Sequence, residues 1–372
     1  MNHLLFPLGR ILPVCLLVGS GFSQELGFPV LSTPGTATWA TEATATGNRT
    51  VFTITGNTVL DWESFDLATG SELVFDFLGG ESVANILGGS GVNFISGTVS
   101  SNGAVGFFSP SADLVVDGSI TAKSVTLAAM DVDAAAFVAG DSYTMSVDPG
   151  GWNGLAVSGQ VVADAGDVVL ASRFTDVSGS AKIDASGTLK MAGSTDVAIH
   201  PGAADRGMEE RSGSGFVLHL ADSRASRIEV AAGREIAHRG SFDAGSPENR
   251  IFLEVGSDGK ILREGNGLTV GRVVMNGEYE DGGLGLDPNE GDAAAAVGSS
   301  TLKIPALKRP DGSAVSTERT VVHEVPMSAT AESGRDAILP EARLVARDKP
   351  EKPMFLRASF FGMRGGSQVG KR

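Results

Sequence analysis

Three stretches of the chain can be laid over one another: Gly118-Ser-Ile-Thr-Ala-Lys-Ser-Val-Thr-Leu-Ala-Ala, Gly159-Gln-Val-Val-Ala-Asp-Ala-Gly-Asp-Val-Val-Leu-Ala-Ser and Gly179-Ser-Ala-Lys-Ile-Asp-Ala-Ser-Gly-Thr-Leu-Lys-Met-Ala-Gly. Each opens on glycine, runs through short β-branched and apolar stretches, and breaks at small or polar residues. The offsets of 41 and 20 residues read as two units and one unit of a repeat near 20. A repeat of that length carrying two or three short strands is the signature of a β-solenoid, whose coils stack and pair strand on strand. From about Thr50 to Gly277 the same chemistry continues: runs of Val, Ile, Leu, Phe and Thr punctuated by Gly, Asn, Asp and Ser, which is strand and turn composition. Helical spacing is not sustained, and the Ala-rich pieces 133–139 and 292–297 are brief. The body is therefore expected to be all-β, with roughly 11 coils of about 21 residues over 50–290 and a rod on the order of 50 Å long at one strand spacing per coil.

Composition supports this reading. The chain has 372 residues with 50 Gly, 42% hydrophobic residues and a net charge of −15. The glycines lack the every-third-residue period of collagen, and the apolar share supports a packed core. Most glycines are expected at coil corners, where Gly or Asn accepts a positive φ. An acidic body repels phosphate backbones, so nucleic acid is not an expected partner. The charge is unevenly spread: residues 24–300 carry 15 Lys or Arg against 36 Asp or Glu, while 301–372 carry 13 against 8. Together with six prolines, this marks 301–372 as a basic, loosely ordered tail in which only 320–325 and 354–363 have strand-forming composition.

The N-terminus reads as an export signal. Arg10 precedes the apolar run Ile11–Gly19, and Gly21-Phe22-Ser23 places small residues ahead of a cleavage point near Ser23/Gln24, so 1–23 is expected to be a signal peptide. The run is too short to span a bilayer. Cys15, the one cysteine, falls inside it, leaving a mature chain with neither disulfide nor thiol nucleophile. A secreted or surface location reached through the periplasm is expected, with no transmembrane segment.

A more specific pattern occupies residues 57–129. Asn57-Thr-Val-Leu-Asp-Trp-Glu-Ser-Phe is followed by Ser82-Val-Ala-Asn-Ile-Leu-Gly-Gly, then by Ile95-Ser-Gly-Thr-Val-Ser-Ser-Asn-Gly-Ala-Val-Gly-Phe-Phe-Ser-Pro. In this order the segments resemble the N-terminal secretion domain of the filamentous haemagglutinins, the exoproteins of two-partner secretion. Asn57, Val59, Trp62, Phe65, Val83, Asn85, Gly88, Ile95, Gly97, Asn102, Gly103 and Val105 fall on that pattern over about 100 residues, from Val30 to Met130. Where the family has Asn-Pro-Asn-Gly, this chain has Ser109-Pro110-Ser111-Ala112. The resemblance implies a right-handed parallel β-helix with an N-terminal cap. It implies recognition, through Asn57, Trp62, Asn85, Asn102, Gly103, Ser109, Pro110 and Ser111, by an Omp85-type outer-membrane transporter whose periplasmic POTRA domains add a strand. It also implies a secretion domain over 24–135, continuing β-helix with loops over 136–300 and the tail beyond. The function it implies is that of a non-catalytic, adhesin-like exoprotein with an unspecified surface receptor.

Other chemistries have thinner support. Trp62 and Phe65 are expected to pack the first coil, with Trp39 and Trp152 read the same way. His200, His219, His238 and His323 show no metal-ligand spacing, so solvated or turn positions are expected. No cofactor or metal is expected. The alternative is a pectate-lyase-like β-helix enzyme acting on polysaccharide, with Asp131 and Asp133 on one strand face and Asp164, Asp167 and Asp184 near Lys182. Gly282-Gly-Leu-Gly-Leu-Asp287 is a single copy of a calcium β-roll unit, although those sites share ligands between repeats. Residues 206–214 read as a solvated loop. A toxin-carrier role has little support, because the tail has no Val-Glu-Asn-Asn boundary.

Overall fold

Period-two alternation of apolar side chains lets a strand bury one side, and here three such strands per coil close around a shared interior. The structure is a computed structural model describing residues 26–32, 36–79, 81–148, 151, 153–263, 269–281, 300–304 and 319–323. It is a parallel β-solenoid of about nine turns. The first face begins with Asn48–Ile54, Glu72–Phe77 and Thr98–Ser101, the second with Thr58–Trp62, Ser82–Leu87 and Ala104–Phe108, the third with Asp66–Leu67, Val92–Ile95 and Asp113–Val116. Within each face successive strands pair in parallel, as in Val83↔Val105↔Val125 and Leu73↔Val99↔Ile120. Inward residues form one continuous core from Phe52 to Ile261. At the N-terminal end direction reverses: Ala37–Ala43 runs antiparallel on Asn48–Ile54, and Pro29–Leu31 antiparallel on Thr58–Trp62. This supplies the cap a solenoid needs at an open edge.

The repeat offsets need a correction. Glycine 159 stacks directly on Gly118, its N–H bonding Val116 O, so the 41-residue offset is one rung and not two. The extra residues leave the coil between the second and third faces. They form Asp131–Val132, the helix Ala134–Ala139 and Tyr143–Ser146. A second excursion leaves the same corner and forms Asp196–Ile199 and Met208–Ser212. The two excursions join as a four-stranded antiparallel sheet. Sheet and helix together cover the outer side of the second face, the helix through Phe137 and the sheet through Tyr143, Met145, Val197, Ile199 and Met208, packed on Ala84, Phe108, Ala128, Val169 and Ala192. Two coils' worth of sequence is spent outside the solenoid, which is why about nine turns form where eleven are expected.

Other local expectations change with it. Asp133 is not on a strand face with Asp131: it caps the helix, accepting from Ala136 N at 3.1 Å, and Gly140 closes the helix with φ of 75°, an ordinary pairing of caps. Residues 206–214 are not a free loop, since Met208–Ser212 pairs with Asp196–Ile199. Glycines 97, 118 and 159 are absent from the positive-φ set. They are needed for closeness instead, because a Cβ on Gly159 would fall on the Gly118 carbonyl oxygen and one on Gly118 on that of Gly97. Ser300–Ile304 and Arg319–His323 form a separate antiparallel pair. The signal peptide, Trp152, the 282–287 unit and 354–363 lie outside the described residues.

Candidate functional site

The residues singled out at 57–111 sort by rung. Trp62, Asn85 and Gly106 lie on three successive strands of the second face. Trp62 Nε1 donates to Asn85 Oδ1 at 3.1 Å, and Asn85 Nδ2 donates to Gly106 O at 2.9 Å. Asn85 is fully buried and Trp62 nearly so. A carboxamide offers a donor and an acceptor at one end, so Asn85 links an indole above to a carbonyl below. Around this spine the first coils are filled with rings: Trp62 stands edge-on to Phe65 at 5.1 Å, Phe52 tilts over Phe75 at 5.5 Å, and Trp39 of the cap stacks on Phe52 at 5.4 Å.

Asn102 does its work at the surface. It sits in the turn before Ala104–Phe108, accepts from Phe77 N at 2.7 Å and donates to Phe77 O at 3.0 Å. Its amide thus imitates one further strand pair and ties two coils at the corner. Gly103 follows because a Cβ there would press on the Phe77 ring and Glu81 O. The segment 109–112 turns the chain from the second face to the third. Ser109, fully buried, donates to Ala112 O at 2.7 Å, and its Oγ lies 2.9 Å from the buried Asn93 carboxamide. Pro110 O accepts from Asn153 Nδ2 at 2.7 Å. A serine thus holds the turn where the family pattern carries asparagine. Asn57 and Ser111 are exposed at two different corners. The eight residues do not converge on one patch: Trp62, Asn85 and Ser109 face inward, while Asn57, Asn102 and Ser111 reach solvent.

The carboxylates of the enzymatic alternative do not gather either. Asp131 and Asp133 belong to the excursion, Asp164 and Asp184 are exposed, and Asp167 is ion-paired with the buried Lys190 and accepts from Thr188 N at 2.8 Å. Among the described residues no group of three His, Cys, Asp or Glu is placed to hold a metal ion.

Two clusters escaped sequence reading. His219 and His238 are buried, which corrects the expectation of solvated histidines. Their Nδ1 atoms lie 3.0 Å apart, His219 Nε2 lies 2.8 Å from Ser223 Oγ, and both rings stack on Phe242, the nearer centroid at 4.0 Å. Burial pushes His219 down to about 3 and holds His238 well below its ordinary value, with Arg263 and the partner ring adding to the latter. Both rings are therefore neutral, one Nδ1 donating to the other. The signal was present: the two are 19 residues apart, one coil, whereas a search for three- or four-residue spacing looks for helix neighbours. The second cluster lies under the excursion sheet, where Lys190 and Glu229 are register partners on adjacent rungs and both buried. Glu229 pairs with Arg227 at 3.0 Å and accepts from Gly207 N, pinning the 200–207 strap to the solenoid.

Set against known structures, the chain is similar in fold to the crystal structure of the HMW1 secretion domain from Haemophilus influenzae, with a TM-score of 0.54, 15% identity, and coverage of 69% of this chain and 73% of that one. No protein-family model matches the sequence, and no curated protein matches it.

Proposed function

We propose that this chain is the exported member of a two-partner secretion pair, and that its cap and first coils are the part an outer-membrane transporter with POTRA domains recognises. The observation that carries the reading is the order of Trp62, Asn85 and Asn102 on consecutive coils of a solenoid whose fold matches a secretion domain. Half of the motif points inward, so in the folded protein those side chains have no face to show a receptor. Recognition then acts on the chain before it folds, by strand addition to unpaired backbone. The same residues, once across, close the core and draw the coil out of the pore. In this reading 1–23 is removed on export, the mature protein is released or held at the cell surface, and the solenoid serves as a non-catalytic, adhesin-like scaffold.

The test is release of the full chain into the medium with and without a co-expressed Omp85-type transporter carrying POTRA domains. Release that needs the transporter, and that falls at least tenfold when Ser109-Pro110-Ser111 is replaced by Gly-Ala-Gly, supports the assignment. Equal release without the transporter overturns it.

A further inference from the structure

Between the second face and the excursion sheet lies an open cleft of about 290 Å³. Its floor is a ladder: Ser82, Ala104 and Ser124 are register partners on three successive rungs, and Asp167, just ahead of the Val168 that pairs with Val125, continues the row. Neither serine hydroxyl has a protein partner among the described residues. The opposite wall is apolar, made by Phe137, Tyr143, Ile199 and Pro201. Tyr143 and Thr126 hydroxyls engage each other at 3.4 Å, and Lys190 is engaged by Asp167.

We propose that this cleft binds one pyranose-sized neutral sugar. The strands carrying the two free hydroxyls stand two rungs apart, about 9.6 Å, a gap that a six-membered polyol ring bridges with an angled hydrogen bond of about 2.8 Å at each end. The methyl of Ala104 leaves the ring room to lie flat, and the apolar wall meets its C–H face. Asp167, about a third exposed, accepts a further sugar hydroxyl, as carboxylates do in polar-rimmed apolar sites. Anions are disfavoured because Lys190, the one cation lining the cleft among the described residues, is already paired and residues 24–300 are strongly acidic. The proposal does not depend on how the chain is exported.

Saturation-transfer NMR on the full mature chain tests it, with methyl α-D-glucopyranoside, methyl β-D-galactopyranoside, methyl α-D-mannopyranoside and glucuronate as probes. Transfer to at least one neutral glycoside is expected, weakened at least tenfold in Ser82→Ala/Ser124→Ala and lost in Ala104→Leu, which fills the cleft from a half-buried outward position. Neither variant replaces a fully buried residue, and unchanged thermal unfolding confirms that each is folded. Absence of transfer from all three glycosides, transfer that survives both variants, or a preference for glucuronate overturns the proposal.

Discussion

The first coils and the later ones solve the same problem with different chemistry. Each buries polar side chains inside a parallel β-solenoid. Around Asn85 the partners are an indole N–H and a backbone carbonyl, groups that carry no charge at any ordinary pH. Around His219 the partners are a second imidazole and a serine hydroxyl, and the bond between the rings requires one Nδ1 free of a proton. A satisfied amide spine holds the register of the first coils without regard to pH. The histidine stack makes the later coils conditional on pH.

That contrast breaks most visibly in acid. With folded-state values below the unfolded value of about 6.5, the unfolded chain takes up protons as pH falls below 6.5 while the folded chain does not. The stabilising contribution is complete above about 6.5 and is lost as pH falls toward the value of about 3 for His219. Between pH 7 and pH 5 the loss is about 2 kcal/mol for His219, and His238, displaced in the same direction, adds to it. Urea denaturation at the two pH values, compared with His219→Gln/His238→Gln, isolates the histidine share from that of the carboxylates. An equal pH dependence in the double variant would show that the pair does not stay neutral.

Next in size is Asn85→Leu. It strands the Trp62 indole N–H and the Gly106 carbonyl in the core, at about 3 kcal/mol for two buried unsatisfied groups. The same loss is expected at pH 5 and pH 7, which is the sharpest contrast with the histidine variants. Adding Trp62→Phe removes one stranded donor and recovers part of the loss, a coupling that a double-mutant cycle reads directly.

How far the sequence foretold all this follows from what each residue's neighbours are. The β-solenoid was legible because alternation and corner glycines are local signals. Trp62 and Asn85 were legible because their segments form an ordered pattern. The coil number was not, since an excursion of about one coil length is indistinguishable from an extra coil by spacing alone; only Gly159 resting on Gly118 decides it. Lys190 hid in the apolar run Leu189-Lys-Met191, because the charge is answered by Asp167 from the rung before. The histidines hid because contact in a solenoid comes at one coil length, a separation that carries no motif.

The smallest expected effect separates fold from recognition within the first coils. Asn102 and Asn57 are both exposed motif asparagines. Asn102 spans both backbone groups of Phe77, whereas Asn57 makes no side-chain hydrogen bond among the described residues. Asn102→Ala should therefore lower stability by about 1 kcal/mol, and Asn57→Ala should change it by less than about 0.5 kcal/mol, the range of an ordinary surface substitution. Measured together with transporter-dependent release, the pair assigns each asparagine its role. A release defect in Asn57→Ala without a stability change marks a contact made by the unfolded chain. If release instead tracks stability across Asn57, Asn85 and Asn102 alike, the motif acts only by making the first coils fold, and the transporter reads backbone alone.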